Sequence, residues 1–313
     1  MAGLRIVVLG GSGFVGSALA ARLAGAGHDV VVPTRSRERS RHLILLPTVD
    51  VIEADIHDAA SLAALVRGAD AVVNLVGILN ESGHDTFARV HVELARNTVA
   101  ACRAAGVARL LHMSALNADP AGPSRYLRSK GEAESLVAGS GLPWTVFRPS
   151  VIFGQGDSFL TLFAKLARAL PVIALPAADA RFQPVWVGDV VSAFERSLAR
   201  AATVGQRYDL CGPKVYTLRE LVSYAAETSG AVRPIVPLSG ALASLQAFVL
   251  EHLPGKLMSR DDLASMTLDS VCNCPFADVL GIEPASLEAL APAWLAPDAR
   301  RDRYDEMRAS VGR

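Results

Sequence analysis

Tyr126 and Lys130 stand four residues apart in Ser124-Arg125-Tyr126-Leu127-Arg128-Ser129-Lys130-Gly131-Glu132-Ala133-Glu134, a stretch that predicts a helix. Four residues on a helix is one face, so a phenol and an ammonium project together. A free phenol titrates near pH 10 and exchanges protons poorly at neutrality. An adjacent ammonium favours the phenolate, and a nearby cationic ring favours it further. Bringing the phenol to neutrality takes roughly 4 kcal/mol of differential interaction, which demands a partly dry site. Ser114, at the end of the apolar run Arg109-Leu110-Leu111-His112-Met113, carries a hydroxyl that could donate to a substrate oxygen as charge develops there. The plainer alternative makes Tyr126 a packing residue and Lys130 a solvated one.

A second cluster works through backbone. The apolar run Leu4-Arg5-Ile6-Val7-Val8-Leu9 stops at Gly10-Gly11-Ser12-Gly13-Phe14-Val15-Gly16 and then becomes an Ala-rich helical pattern reaching about Ala26. A strand that ends in a glycine turn and opens a helix makes an anion site, because the first helical N–H groups lack partners and the helix dipole favours negative charge. Gly10 allows the tight turn, Gly13 the approach of a pyrophosphate, and Gly16 the close packing of helix on strand. Ser12, Phe14 and Val15 complete the set expected against a dinucleotide. The spacing G-x-x-G-x-x-G departs from the commoner G-x-G-x-x-G, so the strand before and the helix after carry the reading.

The elements that must position these groups follow at regular intervals. Asp29-Val30-Val31-Val32-Pro33 predicts a second strand, Val49-Asp50-Val51-Ile52-Glu53 a third, Ala69 to Val76 a fourth ending at Gly77, and Arg109–Met113 a fifth. Helices are predicted over Ala59–Arg67 and about Asp85–Ala105. Alternation at this interval implies an α/β fold, a Rossmann doubly wound parallel sheet, with ligands at the carboxyl ends of the strands. Asp55 is then placed to touch an adenine, with Ile56 beside it, and Leu75, Val76 and Gly77 border the cofactor. After the second strand an acidic side chain would bind the ribose hydroxyls of NAD; Thr34 and Arg35 stand there instead. A guanidinium at that point suits a 2′-phosphate, which favours NADP(H) over NAD(H).

The whole chain sets bounds. Its 313 residues are half hydrophobic, with 31 basic and 31 acidic side chains, leaving no basic excess to bind nucleic acid. Cys102, Cys211, Cys272 and Cys274 are too few for a disulfide scaffold, and no spacing completes a metal site, so no metal and a reduced cytoplasmic protein are expected. Glycines interrupt the apolar N-terminal run where a signal peptide would need continuity, and no run is long enough to span a bilayer.

With Gly10–Gly16, Val72–Gly77, His112–Ala118, Ser124–Lys130, Phe147–Gly154 and Gln183–Val190 assembled, the chain resembles the short-chain dehydrogenase/reductase superfamily. It resembles more closely the atypical branch containing the nucleotide-binding accessory subunit of respiratory complex I. The resemblance spans about the first two-thirds of the chain. It implies Ser114, Tyr126 and Lys130 as a catalytic triad, with Tyr126 and Lys130 also on the cofactor, Arg35 as an NADP determinant, and Pro149 beside the nicotinamide. Many extended members carry asparagine where His91 aligns, a departure that leaves the usual proton-relay waters without their anchor; Asn97 is another helix asparagine. The complex I relative holds its nucleotide for structural reasons, so an intact triad does not guarantee turnover.

Past Pro149 the alternation weakens. The resemblance implies a discontinuous layout: 1–149 and about 184–212 in the nucleotide domain, about 150–183 and 213–297 in a smaller substrate or partner domain, and 298–313 a charged tail. Arg148, Phe153, Gln155, Arg181, Phe182 and Gln183 are candidates to line a small-molecule pocket. Thr217 and Glu220 have capping-box spacing. The Leu238–Leu253 helix carries Leu242, Leu245, Phe248 and Val249 on one stripe, with core packing the default and a greasy surface for a membrane, quinone or partner subunit the alternative. Three functions stay open: an NADP-dependent oxidoreductase or epimerase-like enzyme, toward which the residues lean; a non-catalytic NADPH-holding subunit; and a redox-sensing regulator. Location peripheral to the inner face of a membrane, or within a respiratory complex, is a further implication.

Overall fold

The computed structural model describes residues 3–252, 258–273 and 278–297. Seven strands form the central sheet. β1 (Arg5–Leu9), α1 (Phe14–Gly25), β2 (Asp29–Thr34), the single turn α2 (Arg41–Ile44), β3 (Val49–Glu53), α3 (Ala59–Val66) and β4 (Ala71–Asn74) come first. A π-helical stretch, Ala88–Glu93, leads into α4 (Leu94–Ala105), then β5 (Arg109–Met113), α5 (Arg125–Ala138) and β6 (Trp144–Pro149). The order is β11-β6-β5-β4-β1-β2-β3, all pairs parallel, with β11 (Gln206–Leu210) supplied later in the chain.

Both faces of this sheet are covered, which is why its strands read as continuous apolar runs. Ile6, Val8, Val30, Val32, Val73, Leu111 and Phe147 face a core shared with Leu19 and Leu23 of α1 and with Val190 and Phe194 further along the chain. Val7, Leu9, Val31, Val72, Leu110 and Val146 face the other way, onto Leu62, Leu65, Leu94, Val99 and Val137. Alternate residues therefore feed two cores. The third and fifth strands have the expected bounds; the fourth is shorter at both ends than Ala69–Val76.

Between β6 and β11 lie β7 (Ile152–Phe153), α6 (Leu160–Ala169), β8 (Ile173–Pro176), β9 (Arg181–Phe182), β10 (Val185–Trp186) and α7 (Val187–Ala199). After β11 come β12 (Tyr216–Thr217), α8 (Leu218–Thr228), β13 (Ile235–Leu238), α9 (Gly240–Glu251), α10 (Arg260–Ser265), α11 (Leu287–Leu290) and α12 (Pro292–Leu295). The Thr217–Glu220 capping box forms. A separate apolar core gathers Phe153, Phe163, Leu175, Leu218, Leu221 and Leu295.

Two expectations are corrected here. Leu242, Leu245, Phe248 and Val249 are exposed, 46–62%, and α9 buries Ala243 and Ala247 instead. Its small face lies inward and its bulky stripe outward, a choice that helical periodicity cannot decide. Cys211 and Cys272 are joined as a disulfide rather than reduced. The pairing depends on a strap that crosses 61 residues of sequence to reach the end of β11. Along this strap Asn117 donates to the Asp269 carbonyl (2.9 Å), Ser150 to the Ser270 carbonyl (2.8 Å), and Cys272 N–H to Gln183 Oε1 (3.0 Å). Cys274, Leu253 and the charged tail lie outside the described residues. No helix among the described residues is long and apolar enough to cross a membrane, and they hold no metal-ligating cluster.

Candidate functional site

The glycine turn lies at the carboxyl end of β1. Gly10 has φ +79°, a conformation that disfavours any side chain, and the residues on either side of it close the turn, Gly11 N–H donating to the Val8 carbonyl at 3.1 Å. A methyl on Gly16 would lie 2.1 Å from the Gly10 carbonyl oxygen, so helix packs on turn with no room to spare. Gly13 is different: it is exposed, and a methyl there meets only that oxygen, at 3.3 Å. Gly13 is also the N-cap of α1, with no side-chain cap and no acidic residue in the first turn. The first turn of α1 thus has no side chain capping its N–H groups at a positive dipole end, and the exposed Ser12–Gly13 rim beside it fits a diphosphate. Ser12 is exposed above the turn, Phe14 half-buried against Gly154, and Val15 buried in the core.

The ends of β4 and β5 continue the same edge. A methyl on Gly10 would sit 3.1 Å from the Val76 amide nitrogen, and one on Gly77 would sit 2.9 Å from Lys130 Nζ and 3.5 Å from His91 Nε2. Lys130 in turn donates to the Met113 carbonyl at 3.3 Å, one residue before Ser114. Gly10, Leu75–Gly77, Lys130 and the end of β5 therefore form one continuous rim. Ser114 is buried, its backbone N–H donates to Phe147 (2.8 Å), and its hydroxyl has no partner among the described residues. Pro149 is buried at the end of β6 and accepts from Leu116 N–H at 3.0 Å.

Burial sets the protonation at this end. It brings Lys130 down to about 8. Tyr126 goes the opposite way from the expectation, up to about 12, through burial first and then the neighbouring Asp262 carboxylate. His91 and His112 are buried and fall to about 2 and about 3, desolvation leading and the Lys130 charge adding to it. His91 is locked: Ile78 N–H donates to Nε2 (3.0 Å), so the proton sits on Nδ1 and is donated to Ser129 Oγ (2.8 Å). Its ring stands edge-on to Tyr126, with centroids 5.7 Å apart, and stacks with Phe87 at 5.5 Å. Helix α10 then caps the amino end of α5, with Asp261 accepting from Arg125 N–H (2.7 Å) and Tyr126 N–H (3.0 Å).

At the other end, past β2 and β3, a cavity of about 460 Å³ is lined by Arg35, Glu53, Asp55, His57, Asp85 and Arg89. Arg35 and Asp55 are thus brought together as expected. Thr34 turns away: it is buried, and its hydroxyl meets Ser40 Oγ at 3.2 Å. Ile56 packs on the core face of the sheet.

Five of the six suggested pocket residues make contacts within the scaffold. Arg148 pairs with the buried Glu134, which Arg207 also engages at 2.6 Å, and Phe153 is fully enclosed against Trp294. Phe182 packs against the second core, Arg181 pairs with Asp269 at 3.6 Å, and Gln183 holds the strap. Asp85 and Arg89 at the cavity, and Asp261 and Asp262 beside Tyr126, are site residues that no motif in the sequence marks. For the first two the one local signal is a cation four residues past an acid, just before the fourth helix.

The rim, the open helix terminus and the strand order define an NAD(P)H-binding α/β protein. The NAD(P)H-binding family matches residues 10–158. Solved structures agree in fold alone: a nucleoside-diphosphate-sugar epimerase from Staphylococcus aureus (TM-score 0.71, 20% identity, 91% of this chain and 98% of that one) and a dTDP-glucose 4,6-dehydratase from Streptomyces venezuelae with NAD bound (TM-score 0.73, 20% identity, 93% and 96%). The chain belongs to the family of the alpha subcomplex subunit 9 of mitochondrial NADH dehydrogenase [ubiquinone]. It is 33% identical to the Mus musculus subunit over 305 residues, covering 92% of this chain and 78% of that protein. It is 30% identical to the 40 kDa subunit of NADH-ubiquinone oxidoreductase from Neurospora crassa over 312 residues, covering 97% and 82%.

Proposed function

We propose that this protein holds NADP(H) as a structural element and serves as an accessory or assembly component at a respiratory membrane complex. One observation carries the reading: Asp261 of α10 caps the amino end of α5 beside Tyr126, where burial first and the Asp262 carboxylate second hold the phenol protonated, the reverse of what an acid–base catalyst needs. The glycine turn and α1 would hold the diphosphate, Lys130 the nicotinamide ribose, and Arg35, in place of an acidic side chain, the 2′-phosphate. When bound, the cofactor could supply a hydride; Lys130 and His91, both buried, would border its nicotinamide end. A ligand at a hundred times its dissociation constant stabilises the fold by about 2.7 kcal/mol. The exposed stripe of α9 would face the partner, in keeping with relatives that are named as subunits of a respiratory complex.

A second reading, an oxidoreductase acting on a carbonyl, alcohol or quinone, is favoured by the Tyr126–Lys130 pair itself and requires α10 to withdraw. The two part on one experiment: the purified protein, loaded with NADPH, is offered quinones, ketones and nucleotide sugars while absorbance at the reduced-nicotinamide band is followed. Persistent NADPH, and unchanged cofactor-dependent stability in Tyr126→Phe, is the expected outcome. Turnover by wild type that Tyr126→Phe abolishes overturns the structural reading.

A further inference from the structure

We infer that Arg89 is the second arm of a two-guanidinium clamp for the 2′-phosphate, and that Asp85 guards the clamp by pairing with Arg35 until the phosphate replaces it. The inference rests on the NADP(H) reading above and extends it to residues on a different element. Arg35 enters the cavity from the end of β2, and Arg89 enters from the first turn of the Ala88–Glu93 helix. Both are poorly engaged. Arg35 meets Asp85 at 3.2 Å with 84% of its side chain exposed, and Arg89 Nη1 reaches the His84 carbonyl at 3.4 Å. One exposed guanidinium contributes little, because a solvated pair gains weakly in water. Two guanidinium groups in the same cavity can share one phosphate, with charge-assisted bonds from each.

Asp85 is held where a guard must be. Ser82 and Asp85 exchange both backbone hydrogen bonds, at 3.0 and 2.9 Å, around Gly83 at φ +55°, which fixes the turn that carries the carboxylate. Glu53 and Asp55 also line the cavity, Asp55 Oδ1 accepting from His57 N–H at 2.9 Å, but the carboxylate that Arg35 pairs with is that of Asp85. His57 faces Arg89: burial lowers its pKa first, and the Arg89 charge comes next. Arg89 therefore acts into the cavity and not only on its own loop. A phosphate dianion carries more charge than the single carboxylate, so both guanidinium groups attract it more strongly than they attract Asp85 at the same distance.

The test measures affinity of the full chain for NADPH, NADH, 2′,5′-ADP and 5′-ADP by calorimetry, in wild type, Arg89→Gln and Asp85→Asn, with folding checked by circular dichroism. Arg89→Gln is expected to lose at least about tenfold in affinity for NADPH and 2′,5′-ADP and to leave NADH and 5′-ADP unmoved. Asp85→Asn, on a part-exposed side chain, is expected to bind both 2′-phosphorylated probes several-fold more tightly, by about threefold or more, with the others unchanged; it reads the clamp even where Arg89→Gln folds poorly. A wild type that prefers NADPH, with Arg89→Gln and Asp85→Asn preferring it equally, overturns the clamp and leaves the NADP(H) reading standing. A wild type that binds NADH as tightly as NADPH overturns both.

Discussion

At the ends of β2 and β3 the side chains facing the nucleotide groove are long, charged and largely exposed, whereas at the ends of β4 and β5 they are buried and their protons are fixed. Arg35 and Asp85 can exchange partners at little cost because water already screens them. Lys130, His91 and Ser129 have no such latitude; each is buried, and His91 is held at both ring nitrogens. The difference separates two tasks. On the proposed reading the adenosine end selects and releases, whereas the tyrosine end stays as it is. The proposed structural role fits the phenol, which burial first and Asp262 second push up to about 12 rather than toward neutrality.

The largest effect that can break this division lies between the two ends, at the glycine turn. Gly16→Ala puts a methyl 2.1 Å from one backbone atom and 2.6 Å from another, and neither can yield without moving β1 or α1. A loss of about 3 kcal/mol or more in stability is expected, with nucleotide binding abolished. Gly13→Ala meets a single atom at 3.3 Å, so it should fold normally and lose nucleotide affinity alone. Thermal melts with and without NADPH separate the two. Equal melting of both variants would mean that Gly13 also packs, and that the cradle is not open.

The next effect is acid lability from the tyrosine end. His91 and His112 titrate at about 2 and about 3 when folded, against 6.5 in the unfolded chain. Below pH 6.5 the unfolded chain binds more protons, so stability falls as pH drops and is fully retained above that value. Between pH 6.5 and 4.5 each histidine contributes a loss approaching 2.7 kcal/mol. Urea midpoints against pH should steepen below 6.5, and His112→Leu should flatten the curve. A midpoint insensitive to pH across that range would show these imidazoles to be more solvated than the structure has them. The charged pairs of the adenosine end should add little to this slope.

How much of this was legible depends on the range of the contacts. The third strand, the fifth strand, the glycine turn and the Thr217 capping box are local: β-branched or apolar runs bounded by turn residues, or a hydroxyl and a carboxylate three residues apart. Sequence therefore places Gly10, Leu75–Gly77 and Lys130 on one edge, since parallel topology puts strand ends together. The rest is long-range. Arg35 meets Asp85 across 50 residues, Tyr126 N–H meets Asp261 across 135, and Cys211 meets Cys272 across 61. A charge pair, a cap and a disulfide at such separations leave no periodicity to read. The outward stripe of α9 was legible as a stripe, but which side met the protein was not.

A smaller effect tests the seal over the phenol. Asp261→Ala removes one acceptor from two N–H groups at the start of α5, a loss of about 1 kcal/mol by analogy with helix N-caps. Because α10 also carries Asp262, loosening it should let the Tyr126 pKa fall from about 12, read as the ultraviolet difference between this variant and its Tyr126→Phe double variant. The sign at high pH follows: a folded pKa above the unfolded 10 means stability declines between pH 10 and 12, and the decline should shrink in Asp261→Ala. An unchanged phenol would assign its shift to the apolar walls of Phe87 and His91 rather than to α10.

The smallest effect on folding lies far from both ends of the groove. Leu242, Leu245 and Phe248 on α9 are each about half exposed or more, so replacing all three by Glu removes little buried area. Surface changes of this kind stay within about 0.5 kcal/mol each, and NADPH affinity should not move. If the stripe docks against a membrane complex, the same triple variant should lose sedimentation with respiratory membranes that wild type retains, since three carboxylates cannot enter an apolar interface unpaired. Retained sedimentation with intact folding would remove α9 from the docking face and leave any partner to another surface. The contrast between a fold that is indifferent to these residues and an association that depends on them is what identifies an interface, because a core position would fail in both assays together.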